Sequence, residues 1–385
     1  MSFRAWWSFA CLLTIVSWGT AQQYPVVHYT PKDGLVNSRV RNVKQDSKGH
    51  IYIMTFSGLS VYDGTRFTNY TTSNGLITDL VNDILEITPD SILISSNACG
   101  LNALVHGKLI NIPIEGNECP IVNQYLKTSE GEIYTTADDG LYELKGNQFY
   151  KLTKTAPGLI SPDFLGNIVS RGPYLIFCSN EVRRYKGLFL FDKRKEELIG
   201  SIPGEVISNL RIDEDGVVWV THAGMLENLD SISLNKGKLE LRSPYRDPSL
   251  GTELNVSCFD FDQRQNLILL GKRGIVVHKR GSQSQLIYVS ELANLNILQI
   301  FIDRENTLWF CTDGNGIYKI ANTSLRFDVP FLKGNPSSVF FVTEDNVDST
   351  FVITNESKIF LLSGNTEEHF PYTENIKVQL LYHQG

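Results

Sequence analysis

A unit of about 40 residues recurs along this chain, and the repeat limits the possible folds more than any other feature. Each clear copy has a short apolar run, a tight turn, an aromatic residue three positions after the turn, and a glycine followed by an aliphatic residue. The clear copies occupy residues 46–64, 131–142, 213–225 and 303–318. Weaker copies lie around Gly100, 175–188, Gly274 and 351–359. Repeats of this length are typical of solenoids, propellers and other arrays.

The repeat unit has the pattern of β-strands. Its apolar runs are short, rich in Val, Ile, Leu, Tyr and Phe, and separated by Gly, Asn, Asp and Pro. No window has a sustained apolar stripe with helical spacing. Each unit has room for about four short strands joined by tight turns, which is the make-up of one β-propeller blade. A β-solenoid is the alternative, but its coils are usually shorter. The sequence therefore predicts an all-β propeller.

The positions of the units predict how many blades form a ring. Seven units end near Ile320, and an eighth lies around Phe351. We expect seven blades within residues 22–330 and the start of a second propeller in 331–385, with a single eight-bladed ring as the alternative. Residues 26–29 should add an outer strand to the last blade, since closure removes exposed strand edges.

The C-terminal residues resemble the beginning of a further unit. Residues 376–385 repeat the nine-residue spacing that separates the first strand from its turn glycine elsewhere. This spacing predicts that the chain is a truncated part of a longer protein. Residues 331–385 are accordingly expected to be its least stable part, because an incomplete blade leaves an unburied face.

The repeat resembles that of a known family. An Asp-x-x-Gly turn, a Trp or Tyr, a Thr, then Gly-Leu and Asp-Gly are similar to the two-component regulator propeller repeat. Residues 29–35 and 67–76 resemble the family's usual entries into its first two blades. The resemblance implies the extracytoplasmic sensor region of a bacterial sensor histidine kinase. In that family a β-sandwich, a membrane helix and a kinase typically follow.

Composition and the N-terminus indicate an exported protein. The net charge is −7 and the chain has no basic run, which argues against nucleic acid as a partner. Residues 1–21 have a positive start at Arg4, an apolar stretch, and small residues at Gly19 and Ala21, which predicts a signal peptide cleaved after Ala21. Cys11 lies inside the apolar stretch, so a lipoprotein anchor is not expected. No other segment is apolar enough to cross a bilayer, so any membrane attachment would come from a C-terminal part absent from this chain.

Five cysteines remain after the predicted cleavage, and their odd number and uneven spacing do not form a disulfide framework. Cys178, Cys258 and Cys311 lie within apolar strands and are expected to be buried thiols. A bridge between Cys99 and Cys119 is an open alternative in an oxidising compartment.

The sequence contains no recognisable catalytic, metal or cofactor site. The seven histidines have no metal-ligand spacing, and no nucleophile or nucleotide motif occurs. The acidic segments around Asp213 and Asp260 are interpreted as turns, because neither continues as a calcium-binding loop. A sialidase-like enzyme would need three arginines gathered at the propeller centre, and nothing in the sequence gathers three of its candidates. Those candidates are Arg39, Arg41, Arg183, Arg184, Arg211 and Arg273.

The repeated aromatics could form a sugar-stacking row, but they occupy the same position in every unit, as blade packing requires. They are Tyr52, Tyr134, Trp219 and Trp309. Large aromatics between neighbouring sheets bury much apolar area, so we expect them in the core. Replacing Trp219 or Trp309 by alanine is expected to cost roughly 3–5 kcal/mol.

Function must therefore be inferred from architecture and resemblance. The preferred hypothesis is a periplasmic ligand-sensing propeller that feeds a membrane-bound histidine kinase located C-terminal to this chain. Its ligand would be a small molecule or a glycan, bound by loops on one face, and the full-length protein would be a homodimer. The alternative is a stand-alone secreted or periplasmic binding or scaffold propeller without a kinase, and a third hypothesis is a secreted propeller enzyme. The ligand-binding residues themselves are not predicted.

Overall fold

The computed structural model divides the chain into two compact units, Met1–Ser324 and Leu325–Gly385. It describes residues 25–321, except 160, 180–185, 205, 223–228, 236, 245–255, 272–273, 279–284 and 288. In the second unit it describes residues 339–344, 349–354, 359–363 and 366–370. The predicted signal peptide and the predicted further unit at 376–385 lie outside these residues.

The first unit consists of seven four-stranded antiparallel sheets, which we call blades 1 to 7. Blade 1 contains β2 (Val40–Gln45), β3 (Ile51–Thr55), β4 (Gly58–Tyr62) and β5 (Phe67–Tyr70). Blade 2 contains β6 (Val81–Thr88), β7 (Ser91–Ser96), β8 (Leu101–Val105) and β9 (Lys108–Ile112). Blade 3 contains β10 (Val122–Lys127), β11 (Ile133–Ala137), β12 (Gly140–Lys145) and β13 (Gln148–Lys151). Blade 4 contains β14 (Leu165–Arg171), β15 (Tyr174–Ser179), β16 (Gly187–Asp192) and β17 (Glu197–Pro203). Blade 5 contains β18 (Ile207–Ile212), β19 (Val218–His222), β20 (Leu229–Asn235) and β21 (Lys238–Pro244). Blade 6 contains β22 (Val256–Phe261), β23 (Leu267–Gly271), β24 (Gly274–His278) and β25 (Gln285–Ile287). Blade 7 contains β26 (Ile297–Ile302), β27 (Leu308–Thr312), β28 (Ile317–Ile320) and, as its outer strand, β1 (Val26–Tyr29).

The seven blades form a closed ring. The first strand of each blade contacts the first strand of the next, and β2 of blade 1 contacts β26 of blade 7. The N-terminal strand β1 pairs with β28, with Val26 opposite Ile320 and Tyr29 opposite Ile317. The prediction of a seven-bladed propeller closed by residues 26–29 is confirmed, and the eight-bladed ring is wrong.

The hydrophobic core lies between neighbouring blades rather than inside any one of them. Among the described residues there are seven apolar clusters, and each joins two adjacent blades of the ring. The cluster between blades 7 and 1, for example, contains Trp309 and Ile317 on one side and Val43 and Ile53 on the other. A sheet of four strands buries its faces only against other sheets, so the ring as a whole is the stable unit.

The aspartate and the aromatic residue of the repeat are hydrogen-bonded to each other. Trp309 donates from Nε1 to Oδ2 of Asp303 at 2.8 Å, and Trp219 donates to Oδ2 of Asp213 at 2.9 Å. In both turns Oδ1 of the aspartate accepts backbone N–H groups, including that of Thr307 at 2.7 Å. One carboxylate therefore closes the turn and orients the aromatic ring six positions later. This double role explains why the two residue types recur at that spacing.

The repeated glycine is required by close contact with the outer strand. Gly58 begins the third strand of blade 1 with φ of +133°, and a Cβ there would lie 2.5 Å from the carbonyl oxygen of Tyr70. Only glycine accommodates both this dihedral angle and this approach.

The second unit contains one four-stranded sheet in its described residues, with the order β29 (Val339–Glu344), β30 (Ser349–Thr354), β31 (Ile359–Ser363) and β32 (Thr366–Phe370). It has the strand order of a blade, and the second propeller predicted for 331–385 stays a prediction. Among all described residues, helices are limited to three short 3-10 turns, Pro31–Asp33, Thr72–Asn74 and Ser290–Leu292. None of the helices in the described ranges is long and apolar enough to cross a membrane.

Candidate ligand-binding face

The ring has two unlike faces. Because the strands of each blade alternate in direction, the entries into the first strands and the turns between second and third strands share one face, here called the upper face. The turns between first and second strands, which carry the Asp–aromatic pairs, lie on the opposite, lower face. A propeller encloses a central channel between its innermost strands, and the end of that channel at the upper face is here called its upper mouth.

The innermost strand of every blade carries a β-bulge near its upper end. In blade 1 the pairing shifts between Val40 and Asn42, which leaves Arg41 as the extra residue. Six of the blades have a single extra residue, and blade 4 has Gly166 and Asn167 at this place. The single residues are Arg41, Asn82, Asn123, Ser208, Ser257 and Leu298. Bulges re-aim side chains at the rims of closed sheets, and in this ring they accommodate residues of different size and polarity.

Two arginines and a phenylalanine lie together on the upper face of blade 1. The guanidinium carbon of Arg39 lies 4.1 Å from the centre of the Phe56 ring, and that of Arg41 lies 5.4 Å from it. Arg39 directly precedes β2, and Phe56 directly follows β3. A guanidinium near an aromatic face is attracted by the ring. We call Arg39, Arg41 and Phe56 the arginine cluster.

Each guanidinium of the arginine cluster uses only some of its donors. Arg39 donates from Nε to Oδ1 of Asp313 in blade 7 at 2.7 Å, and Arg41 donates from Nη1 to Oδ1 of Asn82 in blade 2 at 2.7 Å. Within the described residues neither group makes another hydrogen bond, although a guanidinium carries five N–H donors. Burial lowers the pKa of Arg41, and the charge of Asp138 acts in the opposite direction. Within the described residues, the remaining donors of both guanidinium groups therefore face no protein acceptor.

The amide side chains of two further bulge residues form hydrogen bonds to the next blades of the ring. Asn82 donates to the carbonyl oxygen of Val122 in blade 3 at 3.0 Å. Asn123 donates to Oδ1 of Asp138 at 2.9 Å and to the carbonyl oxygen of Leu165 in blade 4 at 3.0 Å. The arginine cluster is therefore hydrogen-bonded directly to blades 7 and 2, and Asn82 and Asn123 continue the contacts to blades 3 and 4.

A buried carboxylate lies deeper in the channel wall. Asp83 is fully buried and accepts hydrogen bonds from Nζ of Lys44 in blade 1 at 2.7 Å and from the backbone N–H of Tyr125 in blade 3 at 2.8 Å. Burial raises the pKa of Asp83, while Lys44 and the Tyr125 amide oppose that increase. The Asp83 carboxylate therefore links blades 1, 2 and 3. Its pair with Lys44 has a structural role, and the carboxylate is not exposed to a ligand.

We expect the Asp83 carboxyl to titrate above its usual value of 3.8 in the folded protein, because desolvation outweighs its partners. The folded state then retains the proton to a higher pH than the unfolded chain. The contribution of Asp83 to stability is therefore greatest below the unfolded pKa and declines as the pH rises from about 4 through the folded pKa. Selective ¹³C labelling of aspartate, with Asp83→Asn for assignment, measures the titration.

Asp63 provides an internal control for that titration. Hydrogen bonds from Arg66 and Thr65 lower its pKa, and it is on the surface. Its midpoint should fall below 3.8 in the same spectra. An Asp83 midpoint below 3.8, on the same side as that of Asp63, would show that Lys44 outweighs burial and would contradict the prediction.

The cysteines follow the sequence-based expectation in part. Cys178, Cys258 and Cys311 are free and buried, as predicted, and burial raises the pKa of Cys178 and Cys258 to about 12. Such thiols are not reactive. Cys99 and Cys119 form a disulfide, the alternative that uneven spacing did not favour. It ties the turn after β7 to the segment entering β10, on the upper face between blades 2 and 3.

Replacing both Cys99 and Cys119 by serine should lower the free energy of unfolding by about 3 kcal/mol. The bridge closes a loop with a sequence separation of 20, and loops of this size restrict the unfolded chain by about that amount. Urea unfolding of the oxidised protein, the reduced protein and the double variant measures the effect. Reduced wild type should match the double variant. Equal stability of all three forms would mean that the bridge contributes nothing.

The structure brings together only some of the candidate residues identified in the sequence. Arg39 and Arg41 meet at Phe56, whereas Arg211 pairs with Asp260 between blades 5 and 6 at 3.2 Å. Arg183, Arg184 and Arg273 lie outside the described residues. A triad of arginines is therefore not seen among the residues that are described. Within the same ranges, no group of three or more His, Cys, Asp or Glu could hold a metal ion.

The repeated aromatics lie in the core, as expected. Tyr52, Tyr134 and Trp309 are buried, while Trp219 is half-buried against the cluster between blades 5 and 6. Sequence reasoning missed Phe56 and the pairing of Arg39 with Arg41. Each first strand begins with an aliphatic residue, and the residue after it occupies the bulge. An alignment of the seven strands at this position would have shown that Arg41 is charged and that its counterparts are not.

Comparisons with known proteins give structural neighbours only. No protein-family model and no curated protein matches the sequence. The extracellular domain of a proposed hybrid two-component system, BT3049 from B. thetaiotaomicron, is similar at a TM-score of 0.61 and 17% identity, over 90% of this chain and 49% of that one. The corresponding domain of BT4673 from the same organism has a TM-score of 0.59 at 17% identity, over 92% and 48%.

Propellers of other functions are similar to almost the same degree. Virginiamycin B lyase from Staphylococcus aureus has a TM-score of 0.58 at 12% identity, over 78% of this chain and 99% of that one. PorZ, a surface component of the type-IX secretion system of Porphyromonas gingivalis, has a TM-score of 0.57 at 14% identity, over 88% and 55%. The chain spans about half the length of the two extracellular domains and of PorZ. At these identities the likeness shows the β-propeller fold alone.

Proposed function

We propose that this chain is the ligand-sensing propeller of an exported signalling protein. In the full-length protein it would regulate a membrane-bound histidine kinase located C-terminal to these residues. The observation that carries the proposal is the upper mouth of the channel. There, Asp313 of blade 7 and Asn82 of blade 2 bind two guanidinium groups of blade 1 whose other donors are unused in the described residues. A closed ring holds such groups rigidly, so that less conformational entropy is lost when a ligand binds to them.

Three further observations support an exported sensor. The repeat resembles that of two-component regulator propellers, and two structural neighbours are extracellular domains of proposed two-component or one-component systems. The Cys99–Cys119 bridge is typical of proteins outside the reducing cytoplasm. The N-terminal 21 residues have the pattern of a signal peptide. We further propose that the mature chain begins after Ala21 and that the full-length protein is a homodimer.

The mechanism follows from the architecture. A ligand at the upper mouth would contact several blades at once, so its binding energy would favour one arrangement of the upper-face segments. In a dimeric sensor this preference would shift the equilibrium between two arrangements of the attached kinase, by no more than the difference in ligand affinity between them.

The proposed function is tested by pairing binding with signalling in the source organism. Purified propeller is screened against small molecules and neutral or acidic oligosaccharides by thermal shift and calorimetry. Transcription in response to each ligand that binds is then compared between wild type and a strain lacking this propeller. Loss of the response supports a sensor. Binding with an unchanged transcriptional response would favour a stand-alone binding or scaffold propeller, and chemical conversion of the ligand would favour an enzyme.

A further inference from the structure

Arg41 is a half-buried cation that makes no ion pair within the described residues, and the carboxylate whose charge acts on it, Asp138, lies beyond contact distance. The innermost strands contain four other cations. Lys44 pairs with Asp83 at 2.7 Å and Arg211 with Asp260 at 3.2 Å. The exposed Lys127 and the partly exposed Arg171 donate to backbone carbonyl oxygens instead. Among the described residues, no carboxylate lies within ion-pair distance of Arg41, whose only hydrogen bond goes to the neutral amide of Asn82. A desolvated charge without a partner lowers stability.

The fold does not require arginine at this position. A bulge occurs at this place in all seven blades, with two extra residues in blade 4 and one in each of the others. The other single bulge residues are Asn82, Asn123, Ser208, Ser257 and Leu298. All of these are uncharged. The charge of Arg41 is therefore specific to blade 1 and independent of the geometry that the bulge serves.

Arg39 is positioned to act together with Arg41. Its guanidinium lies 4.1 Å from the Phe56 ring and is tied through Nε to Asp313, while 53% of its side chain is exposed. Holding Nε in this way leaves the edge formed by the two Nη atoms unused within the described residues. That edge has the donor spacing which two oxygens of a carboxylate, sulfate or phosphate accept.

We propose that Arg39 and Arg41 bind an oxyanion group of the ligand at the upper mouth of the channel, with Phe56 holding the two guanidinium groups in place. The proposal rests on the proposed function in that it assigns the chemical class of the sensed ligand. The group is a carboxylate, a sulfate or a phosphate carried by a small molecule or a sugar, and the ligand neutralises the unpaired charge of Arg41.

Binding is measured by calorimetry with four probes: oligomers of galacturonic acid, sulfated disaccharides, inorganic phosphate, and neutral oligomers of galactose. The variants are Arg39→Met and Arg41→Met, which keep an aliphatic side chain beside Phe56. Arg66→Met is the control, because Arg66 is exposed at a lower-face turn and pairs with Asp63. We expect at least one acidic probe to bind the wild type. Arg41→Met should weaken that binding at least tenfold, and Arg66→Met should leave it unchanged. The acidic probe that binds identifies the source of the oxyanion.

A measurement without any ligand provides a second test. If Arg41 is an uncompensated charge, Arg41→Met should leave the Tm unchanged or raise it. A fall in Tm of more than about 5 °C would show that Arg41 is structural and would overturn the proposal. Equal affinity of wild type and Arg41→Met for every acidic probe would overturn it as well. Tight binding of the neutral oligomers by all variants would remove the oxyanion site and leave the sensor proposal standing. Absence of binding by all four probes also overturns the oxyanion site, and the transcriptional test then decides the sensor proposal separately.

Discussion

Replacing Trp309 by alanine should lower the free energy of unfolding by about 3–5 kcal/mol, as removal of a large buried aromatic usually does. Only 1% of its surface is exposed, and the ring belongs to the apolar cluster between blades 7 and 1. The substitution also removes the N–H donor of Asp303, whose pKa burial already raises. Equilibrium unfolding in urea, followed by circular dichroism, measures the loss.

Two matched variants separate the contributions at this position. Trp309→Phe keeps an aromatic ring but removes the donor to Asp303, and should fall between wild type and alanine. Trp219→Ala should cost roughly half as much as Trp309→Ala, because Trp219 is only half-buried. This corrects the expectation that both positions are equivalent. An unchanged unfolding midpoint for Trp309→Ala would contradict the core assignment and would point to a surface stacking role.

Deleting residues 25–29 should destabilise the ring by roughly 3–5 kcal/mol and promote self-association. The deletion removes the partly buried side chains of Val26 and Tyr29, each of which contributes about 1–2 kcal/mol. It also removes the hydrogen bond between the hydroxyls of Tyr29 and Tyr62, at 2.9 Å. The N–H and C=O groups of β28 would then form an open strand edge, which pairs readily with other chains. Urea unfolding and light scattering of the deletion variant measure both effects.

Val27→Ala is the control for strand closure. Val27 lies in the same strand, but the residue is 42% exposed and belongs to none of the apolar clusters. The variant should differ from wild type by less than about 0.5 kcal/mol. A deletion variant as stable and as monomeric as Val27→Ala would show that β1 does not hold the ring closed.

The sequence predicted most of the blade because its key residues act locally. Asp303 and Trp309 are six positions apart and meet within one turn and strand, so their spacing is visible in the chain. Gly58 likewise meets the strand that follows it in the same blade. Features of this kind repeat in every unit, and repetition makes them visible without a structure.

The binding face could not be predicted in the same way, because its contacts join residues that are distant in sequence. Arg39 meets Asp313 only because the ring closes blade 1 against blade 7. Arg41 differs from its neighbours only when the seven bulges are superposed. The disulfide between Cys99 and Cys119 was likewise left open, since the spacing of cysteines does not show which turns face each other.

The sequence by itself determined the all-β class, the blade, the number of blades in the ring and the strand that closes it. These follow from a periodic pattern of apolar runs, turn residues and aromatics, in which each element packs against its near neighbours. Only the tertiary structure decided which polar groups share the upper mouth of the channel and which of them lacks a counterion. The physical reason is that burial and charge pairing depend on distances between residues of different blades. Those distances are set only when the ring closes, and they cannot be read from the linear sequence.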